Sequence, residues 1–170
     1  QGKNLNENLN IQGTKSITLP LGETKISRKV KSLSLIYRSC TNINMLTQNK
    51  KRLFEEKKSE YTFRSLNSLI YSINHAKLSL PNISYEIIII DHDSKKEDLE
   101  IIKKILKKTN VTNSIISLDL GEFNNQIKKI NEKNEPVTKN QLSNMSNIYK
   151  SLMIAKKSCD DLIYFVEDDY

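Results

Sequence analysis

Three consecutive acids, Glu167, Asp168 and Asp169, stand directly behind an apolar run from Leu162 to Val166. Adjacent carboxylates repel one another unless something positive joins them, and a divalent cation itself held to phosphates is a common solution. Side chains alternate along an extended chain. Strand geometry carried past Val166 therefore sends Glu167 and Asp169 to one side and Asp168 to the other. An acid-x-acid pair so placed presents two carboxylates to one Mg²⁺ or Mn²⁺, with a pair of phosphates supplying further oxygens. The competing use is a solvated acidic turn, which follows many strands.

A second polar group, Asp91-His92-Asp93-Ser94, follows Tyr85 to Ile90, which is apolar but for Glu86. Asp91 there can accept from a base N–H or a ribose hydroxyl. Helix capping and dipole complementarity compete for the same group, and Asp93 and Ser94 serve them equally well. His92 reads as a loop residue, and His75, near a helix end, as structural. Arg38 closes a third strand-like segment, Leu33 to Tyr37, where it can meet a diphosphate, a base or a surface acid. The chain has 4 glycines and neither glycine-rich phosphate fingerprint. A phosphate would therefore be held through a metal. No Ser-His-Asp or Cys-His pattern suggests nucleophilic catalysis.

These groups need strands to carry them and helices to space them. The strands are Leu33–Tyr37, Tyr85–Ile90, Ser114–Leu118 and Asp161–Val166. Phe63, Leu66, Leu69, Ile70 and Ile73 recur at helical spacing, and Pro81 closes that helix. Ser94 with Glu97 forms a capping box that opens a second helix, whose buried face is Leu99, Ile101, Ile102, Ile105 and Leu106. Thr138 with Gln141 opens a third, with Leu142, Met145, Ile148, Tyr149, Leu152 and Met153 as its apolar face. Residues 1–30 read as a polar tail with an extended piece at Ser16–Leu21. Residues 39–59 read as a long loop with a helical turn near Leu53–Lys57, and 121–137 as a polar excursion, part helix and part loop. The order β-α-β-α-β-α-β predicts a parallel sheet. Its expected first strand lies between the second and fourth, which brings Arg38, Asp91 and Asp169 around one cleft. The fourth strand is expected to be buried on both faces.

The net charge is +7, carried mostly by scattered lysines. Aromatics do not interleave with them, so nucleic acid is not an expected partner. Peripheral attraction to an anionic membrane is compatible with the charge. No apolar stretch reaches the ~20 residues of a membrane span. Cys40 and Cys159 lack metal-ligand spacing and fit a reducing compartment. The expected location is cytoplasmic, including the inner face of a membrane. Parallel strands put the two thiols at opposite ends of the sheet, too far apart for a disulfide.

Taken in order, these segments resemble a nucleotide-sugar glycosyltransferase of the GT-A type, most like the large family 2. The resemblance is carried by Ser34-Leu-Ile-Tyr-Arg-Ser39 followed by Leu66-Asn-Ser-Leu69, and by Ile87-Ile-Ile-Ile-Asp-His-Asp-Ser94. Asn144-Met-Ser-Asn147, opening a helix that ends in Ala155-Lys-Lys, and Tyr164-Phe-Val-Glu-Asp-Asp169, like the family's DxD strand, complete it. It covers residues 33–170. His92 stands where the family's turn has a second Asp, and Tyr37-Arg-Ser-Cys40 where it has Pro-Thr-Tyr-Asn.

The resemblance implies a Rossmann-like GT-A three-layer sandwich with a mainly parallel sheet, truncated after the DxD-bearing strand. Residues 31–170 would be its nucleotide-sugar-binding part. It implies Asp169 and Glu167 as ligands of Mn²⁺ or Mg²⁺. Nucleotide contacts would come from Arg38, Ser39, Asp91, Asp93, Asn147 and Asp168. The donor would be a nucleoside diphosphate sugar, a UDP-sugar first, and the acceptor a glycan, lipid or protein hydroxyl. The catalytic base is expected after Tyr170, so the 170-residue chain is expected to be inactive and a longer form active. The alternative is a non-catalytic α/β binding domain derived from such a fold.

Overall fold

A computed structural model describes residues 28–42, 57–127, 129–130 and 134–168. Asp169, the extended piece expected at Ser16–Leu21 and most of the turn expected at Leu53–Lys57 lie outside the described residues. By its contacts the chain divides into Gln1–Val30 and Lys31–Tyr170. The second unit is α/β. Its strands are β1 (Ser32–Ser39), β2 (Ser84–Asp91), β3 (Thr112–Ser117) and β4 (Leu162–Glu167). Its α-helices are α1 (Lys58–Ser79), α2 (Lys96–Leu106) and α3 (Lys139–Ser158). The strands form one wholly parallel sheet in the order β3-β2-β1-β4, so β1 does lie between β2 and β4.

β1 and β2 are the central strands, and their apolar side chains are covered on both faces of the sheet, as in parallel sheets generally. Leu35, Tyr37, Ile87 and Ile89 pack with Leu66, Ile70 and Ile73 of α1 and Ile102, Ile105 and Leu106 of α2. Ile36, Ile88 and Ile90 face the other way and pack with Phe123, Ile127 and Ala155. Three layers result, with α1 and α2 on one face and α3 on the other. The buried Tyr37 hydroxyl needs a partner and donates to the Thr62 carbonyl at 3.0 Å.

Several boundaries differ from the sequence expectation. α2 starts at Lys96 behind Lys95, with no side-chain cap; the Ser94–Glu97 box does not form because the Ser94 hydroxyl is used by Asp91. Ile101 is exposed, one step off the buried stripe Ile102–Ile105–Leu106. The Thr138–Gln141 box does form. Leu80 caps α1 just ahead of Pro81, its N–H donating to the Ala76 carbonyl. The polar excursion holds a 3₁₀ turn, Leu120–Phe123. No helix among the described residues is long and apolar enough to cross a membrane.

The largest departures concern α3 and β4. The helix turns Ser143, Ser146, Asn147, Ser151 and Ala155 to the sheet. Of the expected apolar face, Leu142 packs against the core, whereas Met145, Ile148, Tyr149, Leu152 and Met153 are exposed. Small side chains let the helix approach strands already crowded with isoleucine. Among the described residues β4 is an edge strand rather than a doubly buried one, with Tyr164 55% and Phe165 43% exposed.

The Ser146 hydroxyl is fully buried without a hydrogen-bond partner, which costs free energy. Ser146→Ala is expected to leave stability unchanged or raise it by about 1 kcal/mol. Ser146→Leu is expected to cost about 1–3 kcal/mol by forcing α3 off the sheet. Urea unfolding of the two variants measures both.

Candidate functional site

Strand direction and order put the candidate residues at one end of the sheet. β1 to β2 to β3 runs outward on one side, and the chain then returns to lay β4 on the other side of β1. The order therefore reverses between β1 and β4. At such a switch point the loops beyond the carboxyl ends diverge and leave a crevice, the usual ligand position in open α/β sheets. Parallel register aligns Arg38 with Glu167 and Ser39 with Asp91 at that end.

Asp91 is 5% exposed. A carboxylate so buried must be given donors. Its Oδ1 accepts from the Ser39 hydroxyl at 2.6 Å and from the Ser94 hydroxyl at 2.5 Å. Ser94 Oγ in turn accepts from the Thr41 N–H at 3.0 Å, and Thr41 Oγ1 from the Lys95 N–H at 3.1 Å. One network thus joins the ends of β1 and β2 to the start of α2. Asp93, between them, takes a left-handed φ of 59°, a conformation Asp tolerates better than most residues. Its carboxylate accepts from Lys139 Nζ at 3.1 Å, and that hydrogen bond and charge hold its pKa below the usual carboxylate value.

Alternation works as expected beyond Val166. Glu167 turns to the α3 side and pairs with Arg38, whose guanidinium also donates to Asn144 Oδ1 of α3 at 3.0 Å. Asp168 turns to the α1 side and is 8% exposed. It accepts from Lys58 Nζ at 2.6 Å, Thr62 Oγ1 at 2.9 Å and the Cys40 N–H at 3.1 Å. Asn147 is buried under the same edge and donates to the Ile90 carbonyl at 3.1 Å.

The structure brings Arg38, Ser39, Asp91, Asp93, Asn147, Glu167 and Asp168 to one edge. Of the expected cation ligands, Glu167 is engaged by Arg38 and Asp169 lies outside the described residues. Among the described residues no group of three His, Cys, Asp or Glu side chains is placed to hold a metal. Lys58, Thr62, Thr41 and Ser143 were not singled out from the sequence. Lys58 and Thr62, one helical turn apart on α1, carried the one usable signal: a cation and a hydroxyl on the same helix face.

Two neighbours are tuned by this setting. His92 Nδ1 lies 2.7 Å from the Ser143 hydroxyl. Burial, the main cause, together with Lys139 lowers its pKa against the opposing pull of Asp93 and Asp91. Burial, then Asp168 and Asp91, pushes the Cys40 thiol up to about 12. Cys40 and Cys159 are both free thiols. Comparison of the chain with family models, curated proteins and solved structures gives no match.

Removing the Asp168 charge strands Lys58 in a partly buried site. Asp168→Asn is therefore expected to cost about 3 kcal/mol, and Lys58→Met in the same chain to recover part of it; a double-mutant cycle by urea unfolding reads the coupling. A thiol titrating near 12 instead of 9.0 has roughly 1000-fold less thiolate at pH 8, so Cys40 should react with iodoacetamide slower by about that factor than after unfolding. Because the folded value is the raised one, this contribution to stability is full below pH 9 and is lost as pH rises towards 12.

Proposed function

We propose that the crevice between β1 and β4 binds the nucleoside diphosphate of an activated sugar, and that the chain is the donor-binding part of a metal-dependent glycosyltransferase of GT-A type. The observation carrying this reading is the reversal of strand order at β1, with Arg38 and Glu167 facing each other across it. The ordered resemblance of residues 33–170 supplies the chemistry.

In this reading the Asp91–Ser39–Ser94 network is the preorganised floor. Asp91 is fixed by hydroxyls, each of which keeps an acceptor lone pair for an incoming N–H or hydroxyl. The Arg38–Glu167 pair is the charge reserve. Arg38 would meet the phosphates, and Glu167 with Asp169 would hold the Mn²⁺ or Mg²⁺ that accompanies them, so exchange of the ion pair for the bound diphosphate and cation would carry no net cost in charge. The cation would neutralise charge building on the leaving diphosphate. The acceptor hydroxyl would attack the anomeric carbon as the nucleoside diphosphate leaves, its proton passing to a general base.

One observation favours a second reading, a non-catalytic binding domain. Asp91, Asp168 and Glu167 are each already satisfied by protein donors. Calorimetric titration with a UDP-sugar separates the two. Binding that requires Mn²⁺, weakened roughly tenfold or more by Arg38→Ala and by Asp91→Asn, supports the donor site. Absence of nucleotide binding at millimolar ligand, in a chain that melts cooperatively, leaves the binding domain.

A further inference from the structure

Two stretches of the chain hold no acid: residues 61–85, which run through α1 into β2, and residues 101–118, which run from α2 through β3. They are not short of bases. Lys77 stands in the last turn of α1, and Lys103, Lys104, Lys107 and Lys108, all exposed, crowd the end of α2. The chain has 20 acids, and a face that served only to stay in water would mix both signs.

The fold sets the two basic ends side by side. α1 and α2 each leave one strand of a parallel sheet and return to the start of the next, so both end at the edge opposite the crevice. Asn74 of α1 donates to the Lys108 carbonyl at 3.2 Å and accepts from Thr109 Oγ1 at 2.6 Å. Lys77 Nζ donates to Asn110 Oδ1 at 3.0 Å, and Lys108 Nζ to Asn67 Oδ1 at 2.7 Å. These partners are neutral, so they place the ammonium groups without cancelling their charge. Glu100 pairs with Lys103 at an exposed position, where such a bond contributes little. Asp160 and Asp161 precede β4, at the other edge of the sheet from β3.

Apolar side chains stand among these lysines. Asn67, Tyr71, Asn74 and Leu78 recur at steps of four, three and four, so they share one stripe of α1. The two asparagines of that stripe touch the end of α2, which places Tyr71, 77% exposed, and Leu78, 83% exposed, on the same surface as the lysines. Leu80, also exposed, caps the helix.

We infer that the joined ends of α1 and α2 dock on an anionic phospholipid surface, with the crevice turned away from the lipid. Charge and side-chain type select this occupant. Anionic headgroups form a fluid array without fixed spacing, and lysine, a point charge on a flexible stem, meets it without a set geometry. Leucine and tyrosine gain by entering the boundary between headgroups and acyl chains. A nucleic acid offers the same negative charge but no apolar layer for Leu78 and Leu80.

Flotation of the 170-residue chain with vesicles tests the surface. With about 30 mol% phosphatidylserine in phosphatidylcholine, at roughly 0.1 M salt, half of the chain is expected to float at about 0.2 mM lipid, since each lysine near the surface multiplies partition roughly fivefold. Omitting the phosphatidylserine, or raising the salt to about 0.5 M, should release it. Lys104→Glu combined with Lys107→Glu should weaken binding roughly twentyfold or more, and Leu78→Ser about threefold or more. Lys95→Glu combined with Lys96→Glu makes the same change of charge at the crevice end of α2. That end lies about 16 Å away, beyond a Debye length, so this pair should weaken binding less than about threefold. Circular dichroism should be unchanged in all three. Absence of flotation, flotation indifferent to the Lys104 and Lys107 changes, or an equal loss from the Lys95 and Lys96 changes overturns the proposal. So does a chain that binds duplex nucleic acid at the same salt and leaves the vesicles bare.

Discussion

The structure around the crevice depends on one constraint: a carboxylate taken out of water must be surrounded by donors. Asp91 and Asp168 sit at the ends of β2 and β4, both nearly inaccessible. The donors come from different parts of the chain. Ser39 and Ser94 serve Asp91, and Lys58, Thr62 and the Cys40 N–H serve Asp168. Each acid therefore works as a staple. One joins two strand ends to the start of α2; the other joins β4 to α1 and the loop after β1. The cost of leaving either acid unpaired exceeds what an ordinary surface contact contributes.

The same constraint explains which parts of the fold were legible in the sequence. β2 was readable because Ile87–Ile90 is apolar without a break. The parallel sheet and the central place of β1 followed from alternation of strands with helices. The opposed directions of Glu167 and Asp168 followed from the pleat alone. The Ser94–Glu97 capping box failed because a hydroxyl with two possible acceptors went to a buried charge rather than to a helix end. Lys58 and Thr62 escaped notice because their partner is 106–110 residues away, and no local pattern encodes that distance.

α3 misled for a different reason. Hydrophobic periodicity reports where apolar side chains lie on a helix, not which face meets the sheet. The inward face here is built from serine, asparagine and alanine, held by Asn147 to the Ile90 carbonyl and by Ser151 to the Asn147 carbonyl. The strands beneath supply the isoleucines, so the helix needs only to be small. β4 misled similarly: its apolar run matches a central strand, and only topology reveals an edge.

The pairing of β4 with β1 also bears on how the chain folds. β1 and β2 join residues about fifty apart and β2 and β3 about half that, whereas Leu33 pairs with Leu162. Closing a loop that long pays entropy before any contact returns it, and parallel pairings remote in sequence form late. The β3-β2-β1 ribbon with α1 and α2 can assemble first, leaving β1 with an open edge until the last strand arrives. The crevice then waits on the β1–β4 pairing, and a ligand bound there would hold that long-range pairing in place by mass action.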